Sequence, residues 1–132
     1  FYRRSATGEL FAEEMLARAN GITLSPDEST LYVSDASIVH AYDVAADGSL
    51  SNERMFVNKS ADGMVVDCAG NLYLTTGGNV EVYSTAGALL GTIDVPGGTT
   101  NVAFGGPART TLFITGDTKL HAVELLVPGY PY

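Results

Sequence analysis

The fold of this 132-residue chain is decided by the stretch Asn20-Gly-Ile-Thr-Leu-Ser-Pro-Asp-Glu-Ser-Thr-Leu-Tyr-Val-Ser-Asp35. It begins with a polar residue, runs through a short apolar strand and a turn, and reaches a second strand. Two later stretches follow the same plan, Asp62-Gly-Met-Val-Val-Asp-Cys-Ala-Gly-Asn-Leu-Tyr-Leu-Thr-Thr-Gly77 and Asn101-Val-Ala-Phe-Gly-Gly-Pro-Ala-Arg-Thr-Thr-Leu-Phe-Ile-Thr-Gly116. The three starts are about forty residues apart, a period that suits four short strands per unit.

The remainder of each unit also reads as strands. Third strands are predicted over 38–44 and 80–83, and fourth strands over 53–57 and 89–95, with short hairpin turns between them. A period near forty also occurs in helical arrays, but Gly or Pro interrupts this chain too often for amphipathic helices of a dozen residues. The sequence therefore predicts an all-β protein built from four-stranded β-propeller blades.

One stretch allows a different interpretation. Residues 9–18 consist of good helix formers, and Thr7 could cap a helix there. Their place in the repeat instead predicts a fourth strand, with residues 1–4 as the third strand of the same blade. We favour the strand.

The predicted strands divide the chain into about three blades. These are a half-blade at 1–19, a blade at 20–61, a blade at 62–100 and an incomplete blade at 101–132. A closed propeller needs at least four blades, and an open array would expose two apolar faces. We therefore expect a partner, which is either the missing half of the same polypeptide or a second copy of this chain in a homodimer.

The amino-acid composition excludes several classes of partner. The 15 Asp and Glu residues outnumber the 7 Lys and Arg residues, and the net charge is −8. Nucleic acid and anionic membrane surfaces are therefore not expected as partners. The single cysteine, Cys68, excludes an intrachain disulfide, and we expect it to be a small buried thiol. The chain opens at Phe1 rather than Met, so a cytoplasmic location is only the working expectation, with a periplasmic or secreted one left open.

Five motifs occur in a characteristic order along nearly the whole chain. They are 20–22 with 24–27, 31–35, 47–52, 62–64 with 67 and 70–73, and 101–106. With these motifs the sequence resembles the family of senescence marker protein 30, gluconolactonase and regucalcin, and it is similar to the second half of a member. The resemblance implies a six-bladed propeller with one divalent cation in its central channel.

The resemblance also implies a ligand set for that cation. The family holds it with a Glu near the N-terminus, an Asn and an Asp, and the last two match Asn20 and Asp62. The Glu has no counterpart in this chain. Calcium is the expected cation, with zinc, manganese and magnesium as alternatives.

The repeat itself leads to the same positions without the family. Asn20, Asp62 and Asn101 each open a unit just before an innermost strand, so they are expected side by side at one mouth of the channel. All offer oxygen ligands, which suit hard divalent cations. The alternative is that Asn-Gly and Asp-Gly are only turn dipeptides. Asn101 and Asp35 are expected to line or support the channel rather than to bind the cation.

These residues predict the hydrolysis of a sugar lactone. The cation would polarise the lactone carbonyl, and Asp62, the predicted catalytic residue, would take a proton from the attacking water. No Ser-His-Asp set or phosphate-binding loop is visible in the sequence. One alternative is a non-catalytic propeller fragment that binds a metal or a partner. Another is a hydrolase or synthase of the paraoxonase or strictosidine synthase type.

Overall fold

A computed structural model describes the backbone of residues 2–4, 8, 10–12 and 16–131, and the side chains of residues 8 and 16–131. Those ranges contain thirteen strands and no α-helix. The strands form four antiparallel sheets, and within each sheet every strand pairs with the next one along the chain. The all-β class and the four-stranded blade are thereby confirmed. None of the described residues belongs to a helix that could cross a membrane.

The first sheet has two strands in the part of the chain that is described. Tyr2–Arg4 (β1) pairs with Leu10–Ala12 (β2). The strand interpretation of 9–18 is therefore confirmed over 10–12, while residues 16–18 belong to no strand and residues 9 and 13–15 lie outside the described residues. Position in the repeat outweighs local helix propensity here because a strand can pair with its neighbour in the sheet.

Two complete blades follow. The strands of the first blade are Ile22–Leu24 (β3), Thr30–Ser34 (β4), Val39–Val44 (β5) and Leu50–Val57 (β6). The strands of the second blade are Met64–Val66 (β7), Leu72–Thr75 (β8), Gly77–Tyr83 (β9) and Leu89–Thr99 (β10). Each is a meander whose innermost strand comes first, and the innermost strands β3 and β7 are neighbours.

The third blade has three strands among the described residues, and they are Asn101–Gly105 (β11), Thr111–Gly116 (β12) and Lys119–Glu124 (β13). Its innermost strand β11 packs beside β7. The chain then turns back, and the amide of Cys68 donates to the carbonyl of Pro128 at 2.8 Å. The edge of β13 pairs with no other strand in the described part of the chain.

The buried-thiol expectation for Cys68 is wrong. Its side chain is exposed, with Sγ 3.4 Å from the carbonyl oxygen of Gly129. The apolar pattern of β7 stops at Val66, and Cys68 lies in the following turn, which the buried carboxylate of Asp67 organises by accepting the amides of Ala69 and Asn71. The alternation of a strand does not continue into such a turn.

The apolar core lies between the blades. One cluster joins the first and second blades and includes Val39, Val57, Met64, Leu72 and Leu74. The other joins the second and third blades and includes Tyr73, Val80, Val102, Leu112 and Ile114.

The packing between blades also sets the burial pattern of individual strands. Every residue of β8 is buried because a blade covers each of its faces. On β12 the buried residues alternate with exposed ones, so Phe113 is 37% exposed. The outer face of the third blade therefore leaves Phe113 partly uncovered by the described residues, together with Leu120 on β13, which is 67% exposed.

Candidate metal centre at the start of the innermost strands

The residues that open the units converge because the innermost strands approach closely. Gly63 follows Asp62, and a Cβ at Gly63 would lie 2.1 Å from Oδ1 of Asn101 and 2.7 Å from its Cα. A Cβ at Gly21 would lie 3.0 Å from the carbonyl oxygen of Asp62. Only glycine allows neighbouring blades to come this near at the axis, so the Asn-Gly and Asp-Gly pairs have a packing role beyond turn formation.

Asn20 and Asp62 lie in direct contact. Nδ2 of Asn20 donates to Oδ1 of Asp62 at 2.9 Å, although the two residues are 42 positions apart in the chain. Both side chains are exposed. The remaining oxygen atoms, Oδ1 of Asn20 and Oδ2 of Asp62, have no hydrogen-bond partner among the described residues. Each side chain of the pair therefore keeps one oxygen atom without a hydrogen-bond partner among the described residues.

A polar pocket of about 110 Å³ adjoins the pair. Its walls include Arg18, Asn20, Asp35, Ser60 and Asp62. The predicted channel residue Asp35 is thus brought to the same pocket as Asn20 and Asp62. The pocket is therefore bordered by both members of the pair.

Asp35 supports the backbone that precedes Asn20. Its carboxylate accepts the backbone N–H of Arg18 and, at 3.2 Å, that of Ala17. The N–H groups of Arg18 and then of Ala36 hold the pKa of this carboxyl below its usual range. Asp35 therefore remains ionised at neutral pH and fixes the segment leading into β3.

Asn101 differs from the other two residues that open units. Its Oδ1 accepts the backbone N–H of Val102 at 2.9 Å. It packs directly against the site of Gly63, but no hydrogen bond joins its side chain to Asp62 among the described residues. One of the two lone pairs of the side-chain oxygen is thus used within its own strand.

Two supporting residues were missed at the level of sequence. Ser34 and Thr75 end the second strands of their blades, and their side chains are buried beneath Asn20 and Asp62. Oγ of Ser34 accepts the N–H of Gly21 at 2.9 Å, and Oγ1 of Thr75 accepts that of Gly63 at 2.8 Å. The available signal was a hydroxyl residue at one place in every unit, which is Thr115 in the third blade.

The chemistry of the pair fits part of a cation site. An amide oxygen and a carboxylate oxygen are ligands that calcium, magnesium and manganese accept. The described residues contain no group of three His, Cys, Asp or Glu side chains that could hold a metal ion. Asn20 and Asp62 thus suit two positions of a mixed oxygen shell.

Fold and site together define a class, the β-propellers that carry a polar site at the axial ends of their innermost strands. A family model described as "SMP-30/Gluconolactonase/LRE-like region" matches residues 3–118. The chain belongs to this family.

Several relatives are lactonases by name. A gluconolactonase from Zymomonas mobilis is 31% identical over 93% of this chain and 39% of its own length. The pentonolactonase XacC from Haloferax volcanii is 35% identical over 73% of this chain and 37% of its own length. The chain therefore spans well under half the length of these curated relatives.

Solved structures show the same relationship. A gluconolactonase from Xanthomonas campestris superimposes with a TM-score of 0.82 at 36% identity, over 97% of this chain and 44% of that one. Regucalcin from Agrobacterium tumefaciens, described as a calcium-binding protein, gives a TM-score of 0.79 at 23% identity, over 99% of this chain and 53% of that one. At that identity the likeness to regucalcin shows the fold alone.

Proposed function

We propose that this chain is part of a propeller enzyme that hydrolyses sugar lactones, with Asn20 and Asp62 as two ligands of a divalent cation. The observation that carries the proposal is the contact between these side chains, which leaves one oxygen atom free on each. Membership of the family, and relatives named gluconolactonase and pentonolactonase, support the substrate class. Calcium is the first candidate cation, ahead of zinc, manganese and magnesium.

Asp62 has two parts in the proposed reaction. A bound divalent cation would supply Lewis acidity toward the lactone carbonyl and offset the charge that develops on its oxygen. The Asp62 carboxylate accepts the proton of the water that attacks the carbonyl carbon, and it returns that proton to the ring oxygen as the ring C–O bond breaks, which gives a hydroxy acid. Asn20 donates to Oδ1 of Asp62 and so keeps the carboxylate oriented.

The proposed site needs a contribution from outside the described residues. The exposure of Phe113 and Leu120 on the third blade, the free edge of β13 and the share of each relative that the chain covers all support a larger ring. We propose that a complementary propeller half closes this ring and supplies a carboxylate ligand, with a second copy of this chain as the alternative. Light scattering on the isolated 132-residue chain is expected to show dimers or larger species, and a stable, well-dispersed monomer would contradict closure.

The decisive test of function is made on Asp62 in the intact protein. Asp62→Ala is expected to lower lactone turnover at saturating metal by at least about a hundredfold, because a ligand and the base are removed together. Asn20→Ala is expected mainly to raise the metal concentration required for half-maximal turnover. Turnover can be followed with a pH indicator during gluconolactone opening, after correction for the spontaneous reaction.

A matched control uses Asp94, an exposed carboxylate on β10 that is remote from the pocket. Asp94→Ala is expected to retain normal turnover and metal dependence. Near-normal turnover in Asp62→Ala would show that the proposed mechanism is wrong.

A metal-binding or partner-binding module without catalysis is the second candidate. It is favoured by the lack of a complete acidic cluster among the described residues. If the intact protein binds a cation through Asn20 and Asp62 but opens no sugar lactone with calcium, zinc or manganese, this candidate replaces the enzyme.

A further inference from the structure

Two buried hydroxyl groups link the residues that open neighbouring blades. Oγ of Ser34 accepts the N–H of Gly21 at 2.9 Å and donates to the carbonyl oxygen of Ala61 at 2.5 Å. Gly21 directly follows Asn20, and Ala61 directly precedes Asp62. One hydroxyl thus holds the backbone on the inner side of both proposed ligands.

The second blade repeats the arrangement. Oγ1 of Thr75 accepts the N–H of Gly63 at 2.8 Å and lies 3.3 Å from the carbonyl oxygen of Thr100, the residue before Asn101. It also lies 3.1 Å from the carbonyl oxygen of Gly63, so its proton is shared between two acceptors. A chain of hydrogen bonds therefore runs from β3 through β7 to the start of β11.

We propose that Ser34 and Thr75 are positioning residues, which set the spacing of Asn20, Asp62 and Asn101 through the backbone next to each. The inference rests on the proposed function only where it concerns metal affinity. Ser34 is 0% exposed and Thr75 1% exposed, so water cannot replace either hydroxyl in the folded protein. An alanine at position 34 leaves the buried N–H of Gly21 and the buried carbonyl of Ala61 without partners, and the two blades can then shift relative to each other.

The experiment compares Ser34→Ala, Ser34→Thr and Thr76→Val in the intact protein. Threonine is the rescue variant because the second blade carries Thr75 at the same place. Thr76 is the matched control, since it is one residue further along and its hydroxyl contacts only the carbonyl oxygen of Asn79, at 3.3 Å. Urea midpoints recorded without metal give the effect of each change on stability alone.

The first readout is the NMR order parameter of the Asn20 backbone amide, whose N–H donates to the carbonyl oxygen of Ser34 at 3.0 Å, in the metal-free protein. We expect a rigid value near 0.85 in the unmodified protein and in Thr76→Val, and a fall below about 0.6 in Ser34→Ala. Ser34→Thr is expected to restore rigidity. This readout requires neither a bound cation nor activity.

The second readout is calcium or manganese affinity, measured calorimetrically with the metal alone. Ser34→Ala is expected to weaken it roughly tenfold to a hundredfold, as loss of a group that orients a ligand does, while Thr76→Val leaves it unchanged. If Ser34→Ala lowers only the urea midpoint and keeps a rigid Asn20 amide, Ser34 is merely structural and the inference is overturned. If the unmodified protein binds no divalent cation, the proposed function fails, and the order parameters still decide the positioning role.

Discussion

The second and third blades begin with the same kind of residue but use it differently. Asp62 receives a hydrogen bond from Asn20 of the neighbouring blade, whereas Asn101 turns its Oδ1 back onto the N–H of Val102. The strand registers differ, because Thr75 lies opposite Gly63 whereas Thr115 lies opposite Asn101 itself. Thr75 takes the N–H of Gly63 and leaves the Asp62 side chain free, but no hydroxyl takes the N–H of Val102 among the described residues. A repeated polar position keeps its side chain available for contacts with other residues where another group satisfies the adjacent backbone.

The largest expected effect comes from breaking the close approach that brings these positions together. In Gly63→Ala the new Cβ would collide with the backbone of Asn101, at 2.7 Å from its Cα, and backbone cannot move aside as a flexible side chain can. We expect a loss of about 3 kcal/mol in unfolding free energy, at the upper end for overpacking. Urea denaturation of the intact protein measures it.

Gly91→Ala is the matched control for this change. Gly91 lies on β10, and a Cβ there would meet nothing within 4 Å. Its effect should stay within about 0.5 kcal/mol. Equal urea midpoints for the two variants would show that the innermost strands do not pack as closely as described.

Much of this geometry was predictable from the repeat. The strands of the blades and the convergence of Asn20 with Asp62 follow from equal places in equal units, because antiparallel meanders of one period stack in register. The orientation of the Asn101 side chain was not predictable, since it depends on whether a hydroxyl of the neighbouring strand reaches the N–H of Val102. The exposure of Cys68 was missed because a buried carboxylate, and not strand alternation, shapes its turn.

An intermediate effect is expected when Asn101 loses its side chain. In Asn101→Ala the N–H of Val102 loses its acceptor, which should lower the unfolding free energy by about 1 kcal/mol. Metal affinity should fall by less than the roughly tenfold that loss of a ligand-orienting group costs. Calorimetric metal titration and urea denaturation separate the two quantities.

Asn101→Asp is the conservative partner in this test, because it keeps an oxygen acceptor for the N–H of Val102. It is expected to retain most of the stability lost in Asn101→Ala. If Asn101→Ala instead weakens metal binding as much as Asn20→Ala does, Asn101 is a ligand and the contrast between the blades is wrong.

The smallest expected effect concerns Asp35, which distinguishes the first blade from the others. The residue after the buried hydroxyl is Asp35 in the first blade, Thr76 in the second and Gly116 in the third, and only Asp35 can anchor a preceding segment with a charge.

Hydrogen bonds to the carboxylate of Asp35, led by that from Arg18, lower its pKa in the folded protein below the ordinary value of about 4. A lowered folded-state pKa contributes stability above the unfolded-state pKa, and the contribution is lost as the pH falls through the folded value. Asp35→Asn should therefore lower the urea midpoint at pH 7, and the difference from the unmodified protein should shrink steadily below pH 4. Asp94→Asn, an exposed substitution on β10, should show little difference at either pH. A deficit in Asp35→Asn that stays constant from pH 7 to pH 3 would mean that side-chain shape, and not the carboxylate charge, holds the segment before Asn20.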